Sequence, residues 1–172
     1  MGLKEKERKM TFNNVKIKRF LEDAQGYADK ESGCKKVKVG SALVVNSVHE
    51  IVVYGANKTL PICCEKEECR RIELYGENSK SHRLPSDCRS IHSEIDAIAQ
   101  AAAFGMSTRN ATLFITRYPC EACARAIVRA GISKVYYGRE QEISEETKKI
   151  FEAGNVKVKH VKEWTYEDVV EK

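Results

Sequence analysis

Between Ala111 and Val161 the hydrophobic period alternates between that of a strand and that of a helix, an order that few folds accept. Ala111–Thr116 reads as a strand, and Pro119 to Gly131 reads as a helix with Pro at its opening and Gly at its end. Lys134–Tyr137 is a second strand, Ser144–Ala153 a helix followed by Gly154, and Val156, Val158 and Val161 mark a third strand. Strands separated by helices imply parallel neighbours with helices packed over them. In the first half, Ile17, Phe20, Leu21, Ala24 and Ala28 recur at steps of three and four and predict a helix over about 11–30. Two Val-rich runs, 37–46 and 50–55, read as a hairpin turning at Ser47 to His49. Ile91, Ile95, Ile98 and Ala102 predict a further helix stopped by Gly105. The predicted order is α-β-β-α-β-α-β-α-β. An antiparallel opening followed by parallel pairs makes an α/β protein with a mixed sheet and helices on both faces.

From Asn57 to Asp87 the periodicity disappears into a run with Pro61, Pro85, many charges and three cysteines, with Cys88 just beyond. A structureless stretch that long inside a small domain is uncommon unless something orders it, and a metal could. At 172 residues the chain has room for one domain, and 42% hydrophobic with 32% charged residues excludes a wholly disordered chain. The predicted organisation is a charged leader over 1–10, one domain over 11–163 carrying a cysteine-bearing insert at 57–88, and a tail over 164–172. No run approaches the roughly 18 apolar residues of a membrane helix, so no membrane partner is expected. Residues 1–10 hold no apolar export signal, which predicts a cytoplasmic protein. A net charge of +5 from mixed runs suits a small anionic substrate as well as it suits nucleic acid, but no long basic tract points to a polyanion, so no nucleic-acid partner is expected. Seven cysteines, an odd number, point to metal binding or catalysis rather than to a disulfide framework.

Two short motifs carry chemistry: His92-Ser93-Glu94 and Pro119-Cys120-Glu121-Ala122-Cys123, each opening a predicted helix. Cys120 and Cys123 are three apart, so both sulfurs leave one face of a first helical turn, where unpaired amides favour thiolate. Adding the imidazole of His92 makes three ligands of the kind zinc prefers and leaves a fourth position for water. Glu94, two residues after His92, can reach that water without ligating the metal and act as general base and then acid. The combination is the established signature of zinc deaminases, so this assignment is a match to a pattern. Alternatives are a Cys-x-x-Cys redox pair and a closed four-ligand site with Cys88, which precedes His92 by four residues; a closed site has no use for Glu94.

With these residues the chain resembles the cytidine deaminase superfamily and, within it, deoxycytidylate (dCMP) deaminases, over roughly 32–161. Further likeness lies in Val39-Gly40, Gly55-Ala56-Asn57, Ala111 to Phe114, Ala130 to Gly138, the Ser32-x-Cys34 element and Phe151 to Val156. The resemblance implies a three-layer α/β/α fold with a mixed five-stranded sheet. It also implies zinc-dependent conversion of dCMP to dUMP and ammonia, supplying dUMP for dTMP synthesis. It assigns zinc to His92, Cys120 and Cys123 and the proton shuttle to Glu94. Asn57 would meet the nucleotide near base and sugar, Lys36, beside Lys35 and Lys38, the 5′-phosphate, and Tyr137 the pocket wall. Read by residue type alone, Asn57 can also serve as a turn-former, the lysines as a solvated face, and one of Tyr136 and Tyr137 as core or surface. A second, structural zinc on Cys34, Cys64, Cys69 and Cys88 is implied too, against free thiols in a reducing compartment. The resemblance extends to a homo-oligomer, a hexamer in relatives, and to dCTP and dTTP as effectors, although Lys58 follows Asn57 where relatives carry Gly. A deaminase of free cytidine or of adenosine in tRNA, and a catalytically silent zinc-containing nucleotide binder, remain as alternatives.

Overall fold

The apolar stripe at Ile17, Phe20, Leu21, Ala24 and Ala28 is buried along one side of α1 (Asn14–Glu31) in the computed structural model, which describes residues 12–34, 36–45, 50–59, 69–76, 88–140 and 144–164. This helix starts later than its periodicity predicts because the Asn13 side chain accepts the Lys16 backbone N–H at 2.9 Å and caps it. Strands β1 (Gly40–Val44) and β2 (Val52–Ala56) pair antiparallel from Gly40↔Ala56 to Val44↔Val52, as the hairpin reading expected; the turn itself lies outside the described residues. A short helix, α2 (Arg70–Tyr75), sits in the stretch where periodicity failed. The remainder alternates as predicted: α3 (Ser93–Ala103), β3 (Thr112–Arg117), α4 (Glu121–Arg129), β4 (Lys134–Arg139), α5 (Glu145–Ala153) and β5 (Lys157–His160).

The five strands form one sheet in the order β2-β1-β3-β4-β5. β1 runs antiparallel to β2 and β3, while β3, β4 and β5 are parallel, so every strand except β1 points the same way. One face, bearing Ala42, Val44 and Phe114, packs on α1. The other, bearing Leu43, Leu113, Ile115, Val135 and Tyr137, buries residues of α3, α4 and α5 in the larger core. The fold is therefore the expected three-layer α/β/α sandwich with a mixed five-stranded sheet.

Close approach explains two glycines. A Cβ on Gly40 would lie 1.9 Å from the Ala24 carbonyl oxygen, so its absence lets α1 press on β1. One on Gly55 would lie 2.2 Å from the Ser93 carbonyl oxygen and 2.6 Å from the Ala97 nitrogen, so β2 receives α3 backbone against backbone. Side chains then pin α3 to that strand: Asp96 Oδ2 accepts the Ala56 N–H at 3.0 Å, and Gln100 donates to the Tyr54 carbonyl at 2.9 Å. The Ile91 N–H donates to the Lys58 carbonyl at 2.9 Å, tying together the two ends of the cysteine-bearing insert. Trp164, assigned from sequence to the tail, is 6% exposed and covers Gly138 on the α1 face, so the packed domain reaches it.

Candidate active site

Strands β2 and β3 both deliver the chain at one end of the sheet to a helix N-terminus, the place where such sheets hold ligands. His92 is the N-cap residue of α3 and Cys120 that of α4, and both have extended backbone. Neither side chain caps its own helix. They turn toward each other instead. His92 Nδ1 lies 3.6 Å from Cys120 Sγ and 3.3 Å from Cys123 Sγ, and one donor atom from each of the three residues lies within 4.8 Å of the others.

That spacing fits zinc. With Zn–S near 2.3 Å and Zn–N near 2.0–2.1 Å, tetrahedral geometry puts sulfur and nitrogen about 3.5 Å apart. Two sulfurs and one imidazole are also the donor set zinc takes, and three protein ligands leave a position open. Cys88 does not join this group; its sulfur meets Ser90 Oγ at 2.8 Å, so the closed four-ligand alternative finds no support. Among the described residues no second group of three metal-binding side chains forms, although Cys34, Cys69 and Cys88 are all described. Cys64 lies outside the described residues.

The electrostatics are those of coupled donors. A hydrogen bond with Cys120 raises the His92 imidazole to about 9, with the negative charge of Glu94 helping and burial opposing. A hydrogen bond from the Cys123 thiol holds Cys120 down to about 4, with His92 adding to the effect against burial. The same bond, then burial, pushes the Cys123 thiol up. Glu94 is 4% exposed, and burial raises its carboxyl against the opposing pull of His92. A buried carboxylate of raised proton affinity beside a polarising site is suited to taking and returning a proton.

The other sequence-assigned residues are placed as follows. Asn57, buried just after β2, accepts from Ser32 Oγ at 2.7 Å and from the Val39 N–H at 2.8 Å, and donates to the Val37 carbonyl at 2.8 Å. It thus ties Ser32, Val37 and Val39 to the end of β2 and keeps one amide proton for other use. Lys36 is exposed on that segment, while Lys38 donates to the Asp29 carbonyl. Tyr137 is buried between Tyr118, edge-on at 4.8 Å, and His160, stacked at 4.7 Å. Tyr136 stacks on Phe114 on the opposite face. Sequence reading missed the Ser41 and Ser93 hydroxyls, fully buried and 2.8 Å apart, with Ser93 donating to Glu94 Oε2 at 3.2 Å. The serine between His92 and Glu94 was the available signal.

Cavity size does not mark this site. A depression of about 220 Å³ touches His92 and Cys123, whereas a larger one of about 310 Å³ lies between α1 and β5, away from all three donors. Donor chemistry is the better guide.

A sandwich of this strand order, with candidate metal donors at the N-termini of α3 and α4, belongs to the class of cytidine deaminase folds. Comparison with known proteins carries the assignment further: the model of the MafB19-like deaminase family matches residues 15–169, and the chain belongs to that family. It is 30% identical over 132 residues to ComE operon protein 2 of Bacillus subtilis (strain 168), covering 76% of this chain and 63% of that protein. It is 38% identical over 115 residues to deoxycytidylate deaminase of Enterobacteria phage T4, covering 65% of this chain and 58% of that enzyme. The match thus spans about three-fifths of these relatives' length. The fold is also that of the dCMP deaminase of cyanophage S-TIM5 solved with dCMP and dUMP, with a TM-score of 0.64 and 23% identity over 87% of this chain and 99% of that one. No described helix is long and apolar enough to cross a membrane.

Proposed function

We propose that this chain is a zinc-dependent hydrolytic deaminase that converts dCMP to dUMP and ammonia. The observation that carries the reading is the convergence of His92, Cys120 and Cys123 beside the buried carboxylate of Glu94. A zinc ion held by these three residues supplies a Lewis acid that makes water acidic near neutral pH. Glu94 takes a proton from the water as its oxygen bonds to C4 of the cytosine ring and passes it to N3; it then takes the remaining hydroxyl proton and gives it to the amino nitrogen as the C4–N bond breaks, leaving a carbonyl at C4. Water is consumed, the ring gains a carbonyl, and ammonia leaves. Burial supports this role, because a carboxyl of raised proton affinity can both hold and release the proton.

The choice of dCMP rests on relatives named deoxycytidylate deaminase and on the exposed cation Lys36, carried on the segment that Asn57 ties to the end of β2. In this reading Lys36 meets the 5′-phosphate, the remaining Asn57 amide proton meets the nucleotide, and Tyr137 stiffens the wall through Tyr118, which leads into Pro119 and Cys120. Homo-oligomeric assembly and response to dCTP and dTTP belong to the same reading. Ammonia release from dCMP and from deoxycytidine, measured side by side, is the test. Turnover of dCMP with deoxycytidine at least about 100-fold poorer is expected, a gap of about 2.7 kcal/mol that one charge-assisted contact can supply. Equal turnover of both would remove the phosphate contact, and turnover of neither by zinc-loaded protein would remove the dCMP reading.

A further inference from the structure

Glu94 is placed by more than its position on α3. Its neighbour Ser93 donates from Oγ to Glu94 Oε2 at 3.2 Å, and the same Oγ lies 2.8 Å from Ser41 Oγ on β1. Both serines are completely buried. A hydroxyl has one proton, and that of Ser93 is given to Glu94, so the Ser41 hydroxyl must donate to Ser93. The bonds therefore run in one direction, from the sheet to the carboxylate.

Two buried hydroxyls carry a desolvation cost that alanines of nearly the same size would avoid, so their gain must lie in what they bond. The carboxylate itself needs donors, because it is buried too. Its own backbone N–H and the Cys123 thiol also face it. Ser93 is further held from β2, where its carbonyl oxygen sits against the bare Cα of Gly55. Two adjacent strands thus fix the group that fixes Glu94.

We propose that Ser41 and Ser93 are positioning residues for the Glu94 carboxylate: Ser93 holds one carboxylate oxygen, Ser41 holds Ser93, and the other oxygen is kept aimed at the reacting proton. The inference rests on the deaminase reading for its kinetic consequence, while the geometry it asserts can be read without turnover. A proton carrier that must serve two partners in one reaction gains from a fixed orientation, because small displacements of a catalytic group cost large factors in rate.

The test compares zinc-loaded wild type, Ser93→Ala, Ser41→Ala and the double variant. With dCMP, Ser93→Ala is expected to lower kcat about tenfold and Ser41→Ala about threefold, with KM within about twofold, as for loss of an interaction acting after substrate is bound. The double variant should be no slower than Ser93→Ala, because Ser41 acts only through Ser93. Unchanged kcat in both single variants, losses that multiply in the double, or losses confined to KM or matched by lost zinc would overturn the proposal. A second readout is the carboxyl carbon resonance of Glu94 in ¹³C-glutamate-labelled protein, assigned by its disappearance in Glu94→Gln. It should move in both single variants, and an unmoved resonance would overturn the proposal whatever the substrate. If wild type fails to deaminate dCMP, the dCMP reading falls and this resonance alone decides the positioning role.

Discussion

His92 and Cys120 occupy N-cap positions where Ser, Thr, Asp or Asn would normally bond the helix, and each instead spends its side chain on the other. The uncapped amides of α3 and α4 leave positive ends facing the donor cluster, which favours thiolate at Cys120. At pH 7 His92, raised to about 9, and Cys123, also raised, hold protons, while Cys120, at about 4, has lost its own. Zinc needs all three deprotonated, so uptake by zinc-stripped protein at pH 7 should release about two protons. Apparent affinity should then rise about 100-fold per pH unit, easing to about tenfold per unit as pH passes His92 near 9, because the raised Cys123 thiol still gives up a proton on binding. Calorimetric titration in buffers of different ionisation enthalpy counts these protons; a count near zero would show that the donors are not the ligands. The grouping of His92, Cys120 and Cys123 was legible in the sequence because it depends on short spacings within two motifs. The hydrogen bonds of Ser93 and Asn57 were not, because their partners Ser41, Ser32 and Val39 come from other elements.

Element boundaries follow from caps and close approaches as much as from hydrophobic period. The type and order of every predicted element in the described residues are found, because each buries a stripe with its own period. α2 was not legible, being six residues long with no buried residue and thus no stripe. Pro119 was expected as the first helical residue of α4 but stands before the N-cap, because Cys120 must be extended to turn its sulfur toward His92. Glycine separates packing from propensity at this scale. Gly55→Ala should force α3 from β2, costing about 1–3 kcal/mol of stability and weakening zinc binding, since it displaces the residues next to His92. Gly26→Ala, on the exposed side of α1 with nothing within 4 Å, should add about 0.5–1 kcal/mol and leave zinc untouched. Thermal unfolding and zinc titration of the two variants check both; Gly55→Ala with wild-type values would contradict the packing argument.

Over the whole molecule, three layers place one reactive end. Four strands point one way, and α3 and α4 bring their N-termini together, so residues 31 positions apart in sequence, His92 and Cys123, come within 3.3 Å. The sandwich was legible because strands and helices alternate; the reach of the domain to Trp164 was not, because a lone aromatic after the last strand has no period. The insert leaves and returns at one place, at Lys58 and Ile91, which lets 32 residues intervene without separating β2 from α3. In the proposed reaction this arrangement makes Glu94 the proton carrier of a zinc deaminase. The most direct measurement is dCMP turnover and zinc content on the same samples of wild type and Glu94→Gln. Glu94→Gln should keep the zinc of wild type and lose a factor of about 10²–10⁴ or more in kcat. A variant with wild-type zinc and wild-type rate would contradict the account.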